Sequence, residues 1–263
     1  MAQSAVRAFF AIVRTNAARE LQYRANFFAS LFGTVFWLAM ALLTVHVFYS
    51  HTESLGGWTF WETVVLLGVF NALVGVVEGV LRPGIGSLPD EVRHGSLDQI
   101  LVRPIDPQLY LSIRELDLWR IVDVVLGLSV SIYALHRLGR PLTLPGAASF
   151  AVTFATAIIV LYSLWVALMS LAFWLVAVEN LSTVFDSVFE AARYPSSAYP
   201  TPLRIIFVFL LPVAWMTTTP ASALTGRLQA IEVLESVIVA AASLIVSRAI
   251  WRFGLKRYTS AGG

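Results

Sequence analysis

Cysteine is absent from this 263-residue chain, lysine occurs once, and only 13% of the residues are charged. The missing cysteines exclude disulfides and thiolate metal sites. The four histidines, His46, His51, His94 and His136, are scattered without ligand spacing, so no metal is expected. The lone lysine, Lys256, follows Leu255 with no glycine-rich turn ahead of it. A phosphate-cradling ATPase loop needs a lysine after such a turn, so this chain is not expected to hydrolyse ATP or to hold a nucleotide of its own. An integral-membrane enzyme would cluster His, Asp or Glu at one membrane face. Here the acids are dispersed, no catalytic residue is assigned, and the chain is not read as an enzyme. The longest polar stretch, residues 82–117, is too short to bury a separate core.

What the chain has in abundance is apolar surface: 58% of residues are hydrophobic and the mean hydropathy is +0.76. A helix crossing ~30 Å of hydrocarbon needs about 20 mainly apolar residues. Six runs qualify, at residues 26–48, 58–81, 118–135, 147–178, 205–223 and 233–250. They are continuous rather than alternating, which predicts helices and not barrel strands. The expected fold is all-α, a polytopic membrane protein with six transmembrane helices over residues 26–250 and a tail at 251–263. Residues 1–25 spread Arg7, Arg14, Arg19, Glu20 and Arg24 through an amphipathic pattern unlike a signal peptide, so no cleavage is expected.

Short cytoplasmic loops retain Lys and Arg. With the N-terminus inside, the inside segments hold Arg7, Arg14, Arg19, Arg24, Arg82, Arg93, Arg103, Arg114, Arg120, Arg193, Arg204, Arg248, Arg252, Lys256 and Arg257. Only Arg137, Arg140 and Arg227 fall outside, so both termini are expected in the cytoplasm. The net charge of +2 thus reflects topology, and no nucleic-acid partner is expected. Trp58, Phe60 and Trp61 at one boundary, and Trp251, Phe253 and Tyr258 at the other, fit interfacial aromatic belts.

The loop after the second span reads as two short helices. Ser87 caps the first, Pro89 sits in its opening turn and Gly95 ends it; Ser96 caps the second, Gln99 completes a capping box and Pro104 stops it. Glu91, Asp98 and Arg103 then point to water, while Leu97, Ile100 and Leu101 form an apolar edge. That edge either packs under the chain's own bundle or docks into a groove of another protein. Within the membrane, Gly68, Asn71, Gly75 and Glu78 form one protein-facing stripe, and Gly75 with Gly79 admits a close helix. Glu78 lies near the inner boundary, pairs with a base or lines a polar path. Arg120 can pair with Asp117 or Asp123, and Asp186, Glu190 and Arg193 share a face. Pro220 breaks the fifth span beside Thr217, Thr218 and Thr219, whose hydroxyls can satisfy freed backbone.

The run His94-Gly-Ser-Leu-Asp-Gln-Ile-Leu-Val-Arg-Pro104, with Glu179-Asn-Leu, Asp186, Ala192-Arg-Tyr-Pro195, Tyr199-Pro200 and Gly254-Leu-Lys-Arg-Tyr258, resembles the ABC-2 family of transporter permeases, in its six-helix branch of about 260 residues. The resemblance spans nearly the whole chain. It implies a type V exporter-like transmembrane domain in the bacterial cytoplasmic (inner) membrane, acting as the permease half of an ATP-binding cassette exporter. The implied partners are a separate ABC ATPase in two copies, which binds the ATP and Mg, a second permease subunit as homo- or heterodimer, and membrane lipid. Residues 82–117 become the coupling-helix loop, with Glu91, Arg93, His94, Ser96, Leu97, Asp98, Ile100, Leu101 and Arg103 facing the ATPase. Residues 5–24 become a connecting helix along the inner surface, and Thr217 to Thr219 an outer gate beside a path touched by Asn71 and Glu78.

A gradient-driven secondary transporter is the alternative, but it should show internal repeats with paired broken helices, and none is visible. Aromatics such as Trp37, Tyr162, Trp165 and Trp174 would suit amphipathic or cationic organic molecules if they lined a pathway.

Overall fold

The computed structural model describes residues 24–175 and 181–258. Residues 5–23 of the expected connecting helix and the Glu179–Asn180 pair lie outside them. Among the described residues twelve α-helices follow in order: α1 Arg24–Tyr49, α2 Phe60–Val76, α3 Leu88–His94, α4 Leu97–Leu101, α5 Pro107–Arg114, α6 Ile121–Arg137, α7 Leu144–Ser170, α8 Leu181–Glu190, α9 Thr201–Ile205, α10 Val213–Met216, α11 Thr218–Leu224 and α12 Ala230–Leu255. A π turn, Val77–Leu81, prolongs α2. Among the described residues five helical stretches are long and apolar enough to span: Leu31–Tyr49, Phe60–Leu81, Leu118–Arg137, Leu144–Phe173 and Ala230–Leu255. These are the expected first, second, third, fourth and sixth spans with ends shifted by a few residues.

The hub is α2, because lipid tails give apolar side chains no reason to prefer one another and close backbone packing must hold the helices together. Glycine supplies that approach. A Cβ on Gly68 would sit 2.5 Å from the Gly127 carbonyl oxygen, and one on Gly75 2.8 Å from the Arg120 carbonyl oxygen. The polar stripe of α2 therefore faces α6, as its spacing predicts. Asn71 completes the seam by donating from Nδ2 to the Asp123 carbonyl at 2.8 Å.

The fifth span departs from expectation. Residues 205–223 do not form one helix: Thr201–Val208 and Val213–Leu224 are bent by 64° across a break. Pro220 does not cause it, since that proline lies in the first turn of α11, where its missing N–H has no intrahelical partner to lose. The bundle is instead traversed just upstream. Asp186 of α8 binds Arg82 below α2 at 2.6 Å. Phe189 stacks on Phe70, halfway along α2, with ring centroids 4.8 Å apart. Ser197 donates to the Gly56 carbonyl above α2 at 2.7 Å. Residues 181–199 thus climb from the end carrying the 82–117 loop to the far end. The three charged residues in that segment hide it from a hydropathy reading.

This corrects two basic residues. Arg193 lies inside the bundle over the Phe70 ring, 5.2 Å from its centroid, and Arg204 lines a far-end pocket with Gly56 and Trp58. The three arginines expected at the far end are all held by protein. Arg137 lies over the Trp61 ring, and Arg140 and Arg227 both reach Glu62. Trp58 and Trp251 are not belt residues: each is buried, under Arg227 and against Phe173 respectively.

Candidate functional site

The loop from Arg82 to Asp117 folds into three helices rather than two. In α3, Pro89 occupies the first turn and Gly95, at φ 71°, turns the chain through a left-handed corner, as expected. The serine caps do not form. Ser87 donates to the Gly84 carbonyl at 2.9 Å, and Ser96 donates to the Glu91 carboxylate, which satisfies its hydroxyl away from the helix start. Gln99 is exposed and completes no capping box. The third helix, α5, begins where Asp106 accepts from the Leu109 amide at 3.1 Å, with Pro107 next. That Asp-Pro pair is an N-terminal signal that sequence reasoning passed over.

The apolar edge faces inward. Leu97 and Ile100 are buried in the core beside Leu88 and Leu111, and Leu101 is half-buried against it. Polar ties hold the rest. Glu91 is half-buried rather than free in water: it accepts from Arg114 Nη1 at 2.6 Å, while Arg114 Nη2 donates to Ser87. Asp106 receives both ends of the Arg248 guanidinium from α12. Arg248 also donates to Gln108 Oε1 at 2.5 Å, and Gln108 and Ser112 both bond Tyr162 of α7. Asp98 is half-buried beside Tyr258, whose phenol is pushed up by burial and by that carboxylate.

The outward face carries Arg93, His94, Gln99 and Arg103, with Arg103 over the Tyr110 ring at 4.6 Å. Val102, missed in the sequence reading, is 84% exposed at its centre. Of the nine residues assigned to this surface, Arg93, His94 and Arg103 point out, whereas Leu97 and Ile100 hold the loop to the core and Glu91 and Ser96 tie its helices to one another.

Two carboxyls make the loop acid-sensitive, Glu91 within it and Asp106 where it meets α12. Burial raises the Glu91 carboxyl, but hydrogen bonds from Ser96 and Arg114 and the Arg114 charge outweigh it and leave it below the ordinary value. Hydrogen bonding from Arg248 holds Asp106 low against its own desolvation. A carboxyl lowered by folding contributes stability above its unfolded pKa, and the contribution vanishes as pH falls through the folded value. Limited proteolysis should therefore find the 82–117 loop protected at neutral pH and increasingly cut below about pH 4. An Arg114→Gln, Arg248→Gln chain should lose that pH dependence.

Above the loop, a cavity of about 650 Å³ opens between α1, α2, α6 and α8. It gathers residues assigned separately from sequence. Asn71 and Glu78 line it together with Arg120, Asp123, Asp186 and Arg193. Arg82 bridges Glu78 at 2.9 Å and Asp186 at 2.6 Å; Arg120 reaches Asp117 and Asp123 at 3.4 Å and Glu78 at 3.8 Å. Thr34 of α1 donates to Asp123. Glu78 is thus paired and lines the cavity at once.

The threonines assigned to a gate stitch the broken passage together at the far end. Thr217 donates to the Ala192 carbonyl at 2.5 Å, Thr218 accepts from the Ser196 amide at 3.1 Å, and Thr219 donates to the Ala214 carbonyl at 3.3 Å.

A bundle of long apolar helices with a folded loop at one end and a cavity of about 650 Å³ between the helices fits the membrane subunit of a transporter. The chain belongs to the ABC-2 family: residues 35–262 match the family described as ABC-2 family transporter protein. Members are generally the permease of an ABC transporter. No curated protein and no solved structure matches the chain significantly.

Proposed function

We propose that this chain is the permease half of an ATP-driven exporter in the bacterial cytoplasmic membrane, paired with a second permease and with two copies of a separate ATPase that binds the ATP and Mg. Both termini then lie in the cytoplasm with the 82–117 loop. The observation that carries the reading is the outward face of that loop. Val102 stands exposed between Gln99 and Arg103 on a platform anchored by Leu97 and Ile100, and a small apolar knob on a rigid base suits a groove in a partner. ATPase closure would push the platform as one body. The loop's ties to α7 and α12 through Tyr162 and Arg248 would carry the push into the membrane. In this reading Asn71 and Glu78 touch the path, and Thr217, Thr218 and Thr219 belong to the far gate.

Co-purification from native membrane tests it. The tagged chain should bring down an ATPase, and Val102→Asp with Arg103→Glu should remove at least about nine-tenths of it while the chain elutes as before. Leu97→Arg, by contrast, should lower the yield of folded chain itself, because its site is inside the core. Absence of any ATPase from mildly solubilised complexes would move the assignment to a gradient-driven carrier.

A further inference from the structure

Resting on the permease reading, we infer that the cavity between α1, α2, α6 and α8 takes an amphipathic organic cation. Its size, about 650 Å³, lies in the range of sites that enclose one small organic molecule. Its walls divide by chemistry. Trp37, Leu38 and Ala41 of α1 face Leu67, Phe70 and Phe189 across the cavity, an aromatic and aliphatic enclosure. Toward the loop the wall carries Glu78, Arg82, Arg120 and Asp186, and Glu190 with Arg193 brings a further ion pair to the level of Phe70.

Charge decides the sign of the ligand. Five carboxylates, on Glu78, Asp123, Asp186 and Glu190 in the cavity wall and on Asp117 outside it, form ion pairs with three guanidiniums in the wall, on Arg82, Arg120 and Arg193. Each arginine serves at least one acid, and Arg82 and Arg120 are shared, which leaves the cluster two negative charges in excess. Uncompensated charge is costly within a membrane, and a cation placed among these carboxylates removes that cost. Asp186 and Glu190 are the most accessible of the lining acids, with side chains 48% and 54% exposed, so they meet the cationic head. The body of the ligand then lies against Phe70, Phe189 and Trp37, whose ring faces attract a cation as well as apolar surface. Trp37 is largely exposed and leaves an approach from the lipid side. An anion of the same shape would meet the excess negative charge and be rejected.

Two isosteric probes of opposite sign test this: tetraphenylphosphonium and tetraphenylborate, measured by equilibrium dialysis on the full chain in phosphatidylcholine nanodiscs, with empty discs subtracted. The phosphonium should bind saturably with one site per chain, and the borate should show no saturable binding. Glu190→Gln, which removes a half-exposed carboxylate paired among the described residues with Arg193, should weaken the phosphonium about tenfold, and Trp37→Ala should weaken it similarly. Asp186→Asn should do the same where gel filtration shows a folded chain. Equal binding of both ions, no saturable phosphonium binding, or a Glu190→Gln chain with unchanged affinity would each overturn the assignment. The permease reading fails separately: a chain that recruits its ATPase yet ignores the phosphonium is a permease for another class of substrate.

Discussion

Gly127→Leu is expected to be the most damaging single substitution in the membrane domain. A Cβ at Gly127 would press on the Gly68 carbonyl oxygen and sit 2.5 Å from the Ala72 nitrogen. Both are backbone atoms of α2, which cannot turn aside as a side chain can. The helices must separate, and separation breaks the Ser131-to-Val65 hydrogen bond and the Asn71-to-Asp123 bond along the same seam. Overpacking a fitted core costs about 1–3 kcal/mol, and a backbone-on-backbone clash belongs at the upper end. Fluorescence-detected gel filtration after heating should show little or no monodisperse Gly127→Leu chain. Gly33→Leu is the control, because a Cβ there meets nothing within 4 Å. A Gly127→Leu chain as heat-resistant as the Gly33→Leu chain would refute the glycine seam.

The second large effect is at Glu62, which the sequence reading did not single out. Its side chain is 7% exposed, and one carboxylate oxygen accepts from the Thr59 amide at 3.0 Å, the Thr59 hydroxyl at 3.1 Å and Arg227 at 2.8 Å. Arg140 approaches the other oxygen at 3.6 Å. This single acid joins the turn before α2, the turn between α6 and α7, and the turn before α12. Glu62→Gln keeps the shape but removes the charge that holds two arginines. Removing one partner of a buried pair costs about 3–5 kcal/mol; because Arg227 and Arg140 are partly exposed, a loss of about 2 kcal/mol is expected. Arg227→Gln alone should cost less, since Arg140 still serves Glu62. A double-mutant cycle should then give a coupling on the order of 1 kcal/mol. Strict additivity of the two substitutions would show that the far-end turns are held by something else.

How far the sequence led can be followed residue by residue. Gly95 was legible as a helix end because only a residue without Cβ readily takes φ 71°, and the α2 stripe was legible because period alone puts Gly68, Asn71 and Gly75 on one face. The serine caps misled for an equally local reason: Ser96 turns its hydroxyl to donate to Glu91 instead of accepting from the helix start, a partner no short-range rule includes. Leu97 and Ile100 read as an apolar edge without saying which surface that edge would meet. Val102 looked like one more hydrophobic residue until its neighbours were buried and it was not.

Composition and periodicity by themselves determined that the chain is helical and that it lives in lipid. Those properties follow from run length and residue type, which need no partner to define them. Only the tertiary structure decided which segment makes the fifth passage, which loop residues point outward, and that acids and arginines from three helical segments share one cavity. Each of those depends on pairing across long sequence separations, such as Arg82 with Asp186 and Arg227 with Glu62. A charged residue that looks unfit for the membrane in isolation becomes fit when its counter-charge arrives from another helix.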